Sequence, residues 1–146
     1  MIRPGFAGFP WIASHAYAYP LLEVLHIVGI ALLLGNLVAL ECRVFGLGRE
    51  LDLAALGRLS LTLALCGFGI VAASGLLMFA SQPQELLANR AFTLKMGLLM
   101  LAGTNAALFH ARGGLARLDR VGRAQTVLSL GLWLCVIISG RWIAYR

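Results

Sequence analysis

The stretch Leu21-Leu-Glu-Val-Leu-His-Ile-Val-Gly-Ile30, continued by Ala31-Leu-Leu-Leu-Gly-Asn-Leu-Val-Ala-Leu40, decides the fold class. Its polar residues are Glu23, His26 and Asn36 alone. At about 1.5 Å of rise per residue, a helix of this length crosses a hydrocarbon layer of about 30 Å. An ionised side chain placed in that layer costs roughly 2.5–3.5 kcal/mol on insertion scales. Glu23 and His26 stand three residues apart, and helical positions i and i+3 are neighbours. The expectation is that both point into a bundle, where other polar groups compensate them.

The rest of the chain follows the same pattern. Of 146 residues, 60% are hydrophobic and 12% charged, with mean hydropathy +0.87. Soluble domains carry about 25% charged residues. Three further apolar runs complete a set of expected spans at 19–40, 59–80, 91–110 and 126–145. Short connections favour an all-α, up-down-up-down four-helix transmembrane bundle forming a single domain over 1–146. Residues 1–18 read as an interfacial segment, because Pro10 and Trp11 are followed by His15 and Tyr17, and aromatic rings settle at the membrane boundary. Trp11, Tyr19, Trp142 and Tyr145 make a natural aromatic belt. No cleavable signal peptide is expected, since the first apolar run contains both Glu23 and His26.

A net charge of +6 raises the question of nucleic acid. Its distribution answers with topology instead. Arg43, Arg49 and Arg58 flank the first connection, and Arg112, Arg117, Arg120 and Arg123 the third. Arg3, Arg90, Lys95, Arg141 and Arg146 belong to the other side. The positive-inside rule then places both basic connections in the cytoplasm and both termini outside. Anionic lipid accounts for such loops, and no nucleic-acid partner is implied. Cys42, Cys66 and Cys135 are odd in number and widely spaced, with no CxxC, so they read as apolar packing residues. Gly113-Gly114 opens an Arg-rich connector expected to contain a short amphipathic helix.

Counting residues from the helix starts puts His26 and Lys95 at similar depth, roughly 6–8 Å below the outer boundary. Arg141 and Met78 reach that level from the other two spans. The outer candidates are therefore Glu23, His26, Lys95 and Arg141, with Met78 beside them. Asn36 and Asn105 lie deeper and at matching depth, so a hydrogen bond between them is expected. Glu41, Arg43 and His110 gather at the cytoplasmic end.

Four readings of the outer group stand open. Glu23 pairs with Lys95 or Arg141 and fixes helix registry, with His26 as a hydrogen-bond partner. Alternatively, His26 is an axial haem ligand and Lys95 or Arg141 meets the propionates. A proton or ion relay is the third. A metal site is the fourth, although Glu23 and His26 supply only half of a duplicated ExxH set. His110 lies roughly 21 Å deeper than His26, so the two cannot ligate one iron; His110 is interfacial or serves a second haem. His15 is the remaining outer imidazole, provided that the N-terminal segment folds over the bundle mouth.

Leu25-His-Ile-Val-Gly29 with Gly35, Glu41-Cys-Arg-Val-Phe-Gly46, Phe92-Thr-Leu-Lys-Met96, Ala102-Gly-Thr-Asn105, Phe109-His110 and Gly140-Arg-Trp-Ile-Ala-Tyr145 together resemble a family of small bacterial inner-membrane proteins of unknown function. The resemblance spans nearly the whole chain. It implies a four-helix topology in the bacterial inner membrane and brings no established activity; the positive-inside reading then makes the outer termini periplasmic. A looser similarity joins His26, Lys95 and His110 to the HemJ-type protoporphyrinogen oxidases, which pair a first-helix His with a third-helix Lys. In that family these two residues are implicated in haem binding or activity. The first helix here ends in Glu41-Cys-Arg-Val-Phe-Gly46 rather than an aromatic-Leu-Pro-Arg ending, so the similarity points to a haem-type site and not to the oxidase activity.

The leading expectation is a haem b protein passing electrons between a quinol and another membrane redox protein. His26 would be the iron ligand, Lys95 and Arg141 the propionate partners, and Glu23 an orienting or proton-accepting group. The expectation from a different class is a cofactor-free scaffold or accessory subunit. A transporter or channel would need a homo-oligomer to enclose a pathway.

Overall fold

The computed structural model describes residues 8–145. The expectations for Arg3, Arg146 and the start of the N-terminal segment lie outside the described residues. Among the described residues six α-helices follow one another: α1 Pro10–Ser14, α2 Ala18–Val44, α3 Leu53–Ser81, α4 Pro83–Ala88, α5 Arg90–Ala111 and α6 Arg120–Ile143. A 3₁₀ turn over Gly114–Ala116 links α5 to α6. Helices α2, α3, α5 and α6 are long and apolar enough to span a membrane. They pack as two antiparallel pairs, α2 with α3 and α5 with α6, and α2 meets α6 between the pairs.

Helices α3, α5 and α6 begin earlier than their apolar runs because side-chain caps start them. The Asp52 carboxylate accepts from Ala55 N–H at 2.8 Å and opens α3. Asn89 Oδ1 accepts from Ala91 N–H at 2.9 Å and opens α5. Asp119 Oδ1 accepts from Gly122 N–H at 2.8 Å and opens α6. Such caps satisfy amide donors that no helical carbonyl can reach. The Asp119 cap also corrects the expectation of a separate amphipathic helix in the Arg-rich connector. Arg120 and Arg123 instead form the first turn of α6, and only the 3₁₀ turn intervenes.

The two pairs are held by different means. In α2–α3 the backbones touch through glycine. A Cβ on Gly29 would stand 2.8 Å from Gly67 O, and one on Gly67 would stand 2.7 Å from Gly29 O. Gly57, Ser60, Ala64, Gly67, Ser74 and Ser81 form the buried stripe of α3. Small residues at three- and four-residue spacing are what close helix contact in lipid requires. In α5–α6, amide side chains reach carbonyls on the facing helix. Asn105 Nδ2 donates to Gln125 O at 2.9 Å, and Asn89 Nδ2 donates to Ile143 O at 3.2 Å. Ala102, with no exposed surface, packs between them.

Between the pairs, Arg123 Nη1 donates to Val44 O at 2.9 Å, where α2 ends. Phe79 stacks on Phe92 with centroids 5.6 Å apart, and Phe68 meets Trp133 edge-on at 6.0 Å. The outward faces are apolar: Leu21, Ile27, Leu65, Leu76 and Met100 are all exposed. A surface of that kind on spans of this length contacts lipid acyl chains. Helix α1 lies over the end of α3, with Phe9 N–H donating to Ala80 O at 2.6 Å and Ile12 buried. Trp11, Tyr17, Trp142 and Tyr145 are exposed at that same end.

Candidate functional site

The Gly29–Gly67 contact brings α2 close to α3, and His26 lies three residues earlier on the contacting stripe of α2. Its Nδ1 is 2.9 Å from Ser74 Oγ. Its Cε1 would be 3.3 Å from a Cβ on Gly75, so glycine there makes room for the ring. The direction of the hydrogen bond follows from counting protons. Ser74 Oγ lies 2.7 Å from Ile70 O and 3.2 Å from Val71 O. Carbonyls only accept, so the single hydroxyl hydrogen goes to the α3 backbone. Ser74 then accepts from His26, which places the imidazole hydrogen on Nδ1. The lone pair is left on Nε2, and the Val71 carbonyl also lies within hydrogen-bonding reach of the ring.

Lys95 reaches this region from α5. Its Nζ would be 3.3 Å from a Cβ on Gly140, so the absence of a side chain on α6 accommodates the lysine stem. The ammonium is close enough to the His26 ring for the two to interact electrostatically. Among the described residues Lys95 makes no ion pair. Each long helix thus contributes here: His26 from α2, Ser74 and Gly75 from α3, Lys95 from α5, Gly140 from α6.

Other expected members stand apart. Glu23 is exposed and pairs with neither Lys95 nor Arg141. Positions i and i+3 differ by about 60° of helix rotation. With His26 turned onto α3, that offset carries Glu23 off the contacting stripe. It lies instead within electrostatic reach of Tyr19, as does Glu85 from α4. Arg141 Nη2 donates to Tyr145 Oη at 2.8 Å, and the guanidinium sits 4.8 Å above that ring. A neighbour just past the end of α6 therefore engages it. Met78 is half-buried one turn beyond Ser74 on α3. His15 is exposed, and its Nδ1 accepts from Tyr17 N–H at 3.3 Å.

The deeper expectations also change. Asn36 donates to Leu32 O on its own helix at 2.8 Å, while Asn105 bonds α6, so equal depth does not bring the two amides together. At the basic-loop end, the Thr126 hydroxyl lies 2.8 Å from Arg123 O and 3.2 Å from Glu41 Oε1, and Arg43 Nε donates to Leu51 O at 2.8 Å. His110 is exposed and borders an open cleft of about 360 Å³ shared with Arg58, Leu61 and Leu115. Asp119 lies in the same region. The Gly122 N–H it caps, with help from Arg112 at 2.9 Å, holds its carboxyl below the usual aspartate value. The three cysteines are free thiols.

Among the described residues no three His, Cys, Asp or Glu side chains converge as a metal-binding group. Haem iron makes a smaller demand, because the porphyrin supplies four ligands and the protein needs to add only axial ones. His26 fits that demand in one respect: a hydrogen bond of the kind that orients a ligating imidazole is present on its Nδ1. Ser74 was the partner missed in the sequence. The signal for it was the spacing of Gly57, Ser60, Ala64, Gly67 and Ser74, which marks the face of α3 that α2 meets. Comparison with protein-family models, with curated proteins and with solved structures returned no match. The short motifs that suggested relatives therefore assign no family, and the site is interpreted through its own geometry.

Proposed function

We propose that this four-span membrane protein holds one haem b where its long helices converge on His26, and carries electrons between a quinol and a membrane redox partner. The observation that supports the reading is the direction of the His26–Ser74 hydrogen bond. A donor on Nδ1 leaves Nε2 as the nitrogen that would ligate iron, already oriented by a bond to the facing helix. Bound haem would supply the one-electron couple.

The residues of the chain do the rest. Ser74 holds the imidazole in one tautomer and one orientation. Lys95 brings a positive charge that would meet a propionate, and its stem stays in place because Gly140 has no side chain. Gly75 keeps the edge of the ring unobstructed. Arg141 and Glu23 are placed to act at the surrounding surface rather than on the ring.

An absorption spectrum of detergent-purified protein from haem-replete cells tests the reading. A Soret band with sharp α and β bands after dithionite reduction, lost in His26→Ala, is the expected result. Ser74→Ala should keep the haem but shift its reduction potential, because the ligand's hydrogen-bond partner is gone. A colourless wild-type protein would sink the proposal. In that case the His26–Ser74 bond serves as a registry device between α2 and α3, and the chain is a cofactor-free scaffold or accessory subunit. The observation favouring that second reading is that the bond joins the same two helices as the Gly29–Gly67 contact.

A further inference from the structure

At the end of the bundle away from His26, the start of α3 and the α5–α6 connection enclose the cleft beside His110. Its shape comes from two left-handed glycines, Gly113 at φ 107° and Gly114 at φ 57°. Few other residues adopt such angles in succession. The turn they make lays Leu115 directly on Gly57, where a Cβ would collide with Leu115 Cδ1. Leu61 and Leu115 give the cleft an apolar wall, and Arg58 and His110 give it polar edges; no carboxylate lines it.

Arg58 is set apart from most of its neighbours. Arg43 and Arg49 donate to backbone carbonyls of the first connection. Arg112 and Arg117 meet Asp119, and Arg123 donates to Val44 O. Among the described residues, the Arg58 guanidinium makes no hydrogen bond or ion pair, and it is exposed at the cleft. Arg120 is also unpaired, but it stands on the first turn of α6 and does not line the cleft.

We propose that this cleft seats the headgroup of an anionic phospholipid, with its phosphate on Arg58 and the start of an acyl chain against Leu61 and Leu115. A lipid fits better than a soluble phosphate for a geometric reason. The cleft lies where two spans end, and the exposed side chains Leu59, Leu65 and Leu108 carry its apolar wall onto the outer surface of the bundle. A chain seated in the cleft would leave it along these leucines into the bilayer. A guanidinium matches a phosphate through two parallel N–H donors, and basic pockets at the ends of spans attract acidic headgroups. The proposal rests only on the chain spanning a membrane and is independent of haem.

Native mass spectrometry of the detergent-solubilised protein, with phosphatidylglycerol or phosphatidylcholine added in turn, tests it. The expected result is a retained phosphatidylglycerol adduct and little phosphatidylcholine. Arg58→Ala should lower that adduct roughly fivefold, the worth of one arginine at a charged surface. Ala54→Trp fills the cleft without removing charge and should lower it too, whereas Arg120→Ala should leave it unchanged. Equal retention of both lipids, an undiminished adduct in Arg58→Ala or Ala54→Trp, or an equal loss in Arg120→Ala would overturn the proposal. So would displacement by millimolar inorganic phosphate, which would make the cleft a soluble-anion site. Circular dichroism of each variant separates loss of lipid from loss of fold.

Discussion

The α2–α3 and α5–α6 pairs solve one problem in two ways. Apolar side chains gain nothing by leaving lipid for one another, so helices in a membrane associate through close packing and interhelical hydrogen bonds. The α2–α3 pair relies on close packing: Gly29 and Gly67 let two backbones approach, and the His26–Ser74 bond sits within that contact. The α5–α6 pair relies on hydrogen bonds: Asn105 and Asn89 donate to Gln125 O and Ile143 O near opposite ends of α6. The first pair should therefore be intolerant of added volume and the second intolerant of lost amides. A site that needs a fixed distance between two side chains gains more from the first arrangement.

The largest expected effect breaks the α2–α3 contact. Gly67→Leu places side-chain carbon where Gly29 O and Leu33 N already stand 2.7 Å from a Cβ position. Overpacking typically costs about 1–3 kcal/mol and occasionally more; here the clash is with backbone, so the variant should show the largest drop in thermal stability in detergent. Gly103 of α5 has nothing within 4 Å of its Cβ position. There, Gly103→Ala should raise stability by up to about 1 kcal/mol through helix propensity. Equal responses at Gly67 and Gly103 in thermal melts would erase the distinction between the pairs.

Asn105→Leu keeps the branching and heavy-atom count of the side chain and removes its hydrogen bond to α6. Interhelical hydrogen bonds in membranes average about 0.6 kcal/mol and reach about 1.7; burial of Asn105 puts its loss at about 1 kcal/mol. Denaturant titration in mixed micelles measures it, and a stability unchanged from wild type would refute the role given to this amide. Ser74→Ala should cost about 0.6 kcal/mol by the same scale, less than Asn105→Leu, because glycine packing still holds α2 on α3. A larger loss than that of Asn105→Leu would show the His26–Ser74 bond, not the glycines, to be the main tie.

The smallest effect is the pH dependence of the α6 cap. Asp119 has its carboxyl held below the ordinary value of 3.8 in the folded protein. A depressed folded value means stability that is present above 3.8 and is lost as pH falls through the lower folded value. Melting temperature should therefore be insensitive to this group at neutral pH and should fall in acid below 3.8. Asp119→Asn retains a capping oxygen and should remove this contribution to the acid-side slope. Because the group is exposed, solvent screening keeps the effect small.

Particular residues show where sequence reasoning reached and where it stopped. Four spans were legible from hydropathy and length, because the requirement that a span be apolar is local to each segment. The starts of α3, α5 and α6 were less so: the apolar runs alone placed them late, although Asp52, Asn89 and Asp119 stood ready as caps. Depth was legible for His26 and Lys95, which do come near one another. Rotation was not. Glu23 shares a depth with His26 but not a stripe, Asn36 shares one with Asn105 but bonds its own helix, and Arg141 turns to Tyr145.

The sequence by itself determined that this protein is a four-span, all-helical membrane protein with its arginines concentrated at one end. Those properties follow from the composition and order of each segment. Tertiary structure alone decided which polar groups meet. Spans that are apolar on every side carry little record of which side faces a neighbour, so rotation is set by where backbones can touch. Gly29 against Gly67 provides that contact, and with it the distance that lets His26 reach Ser74.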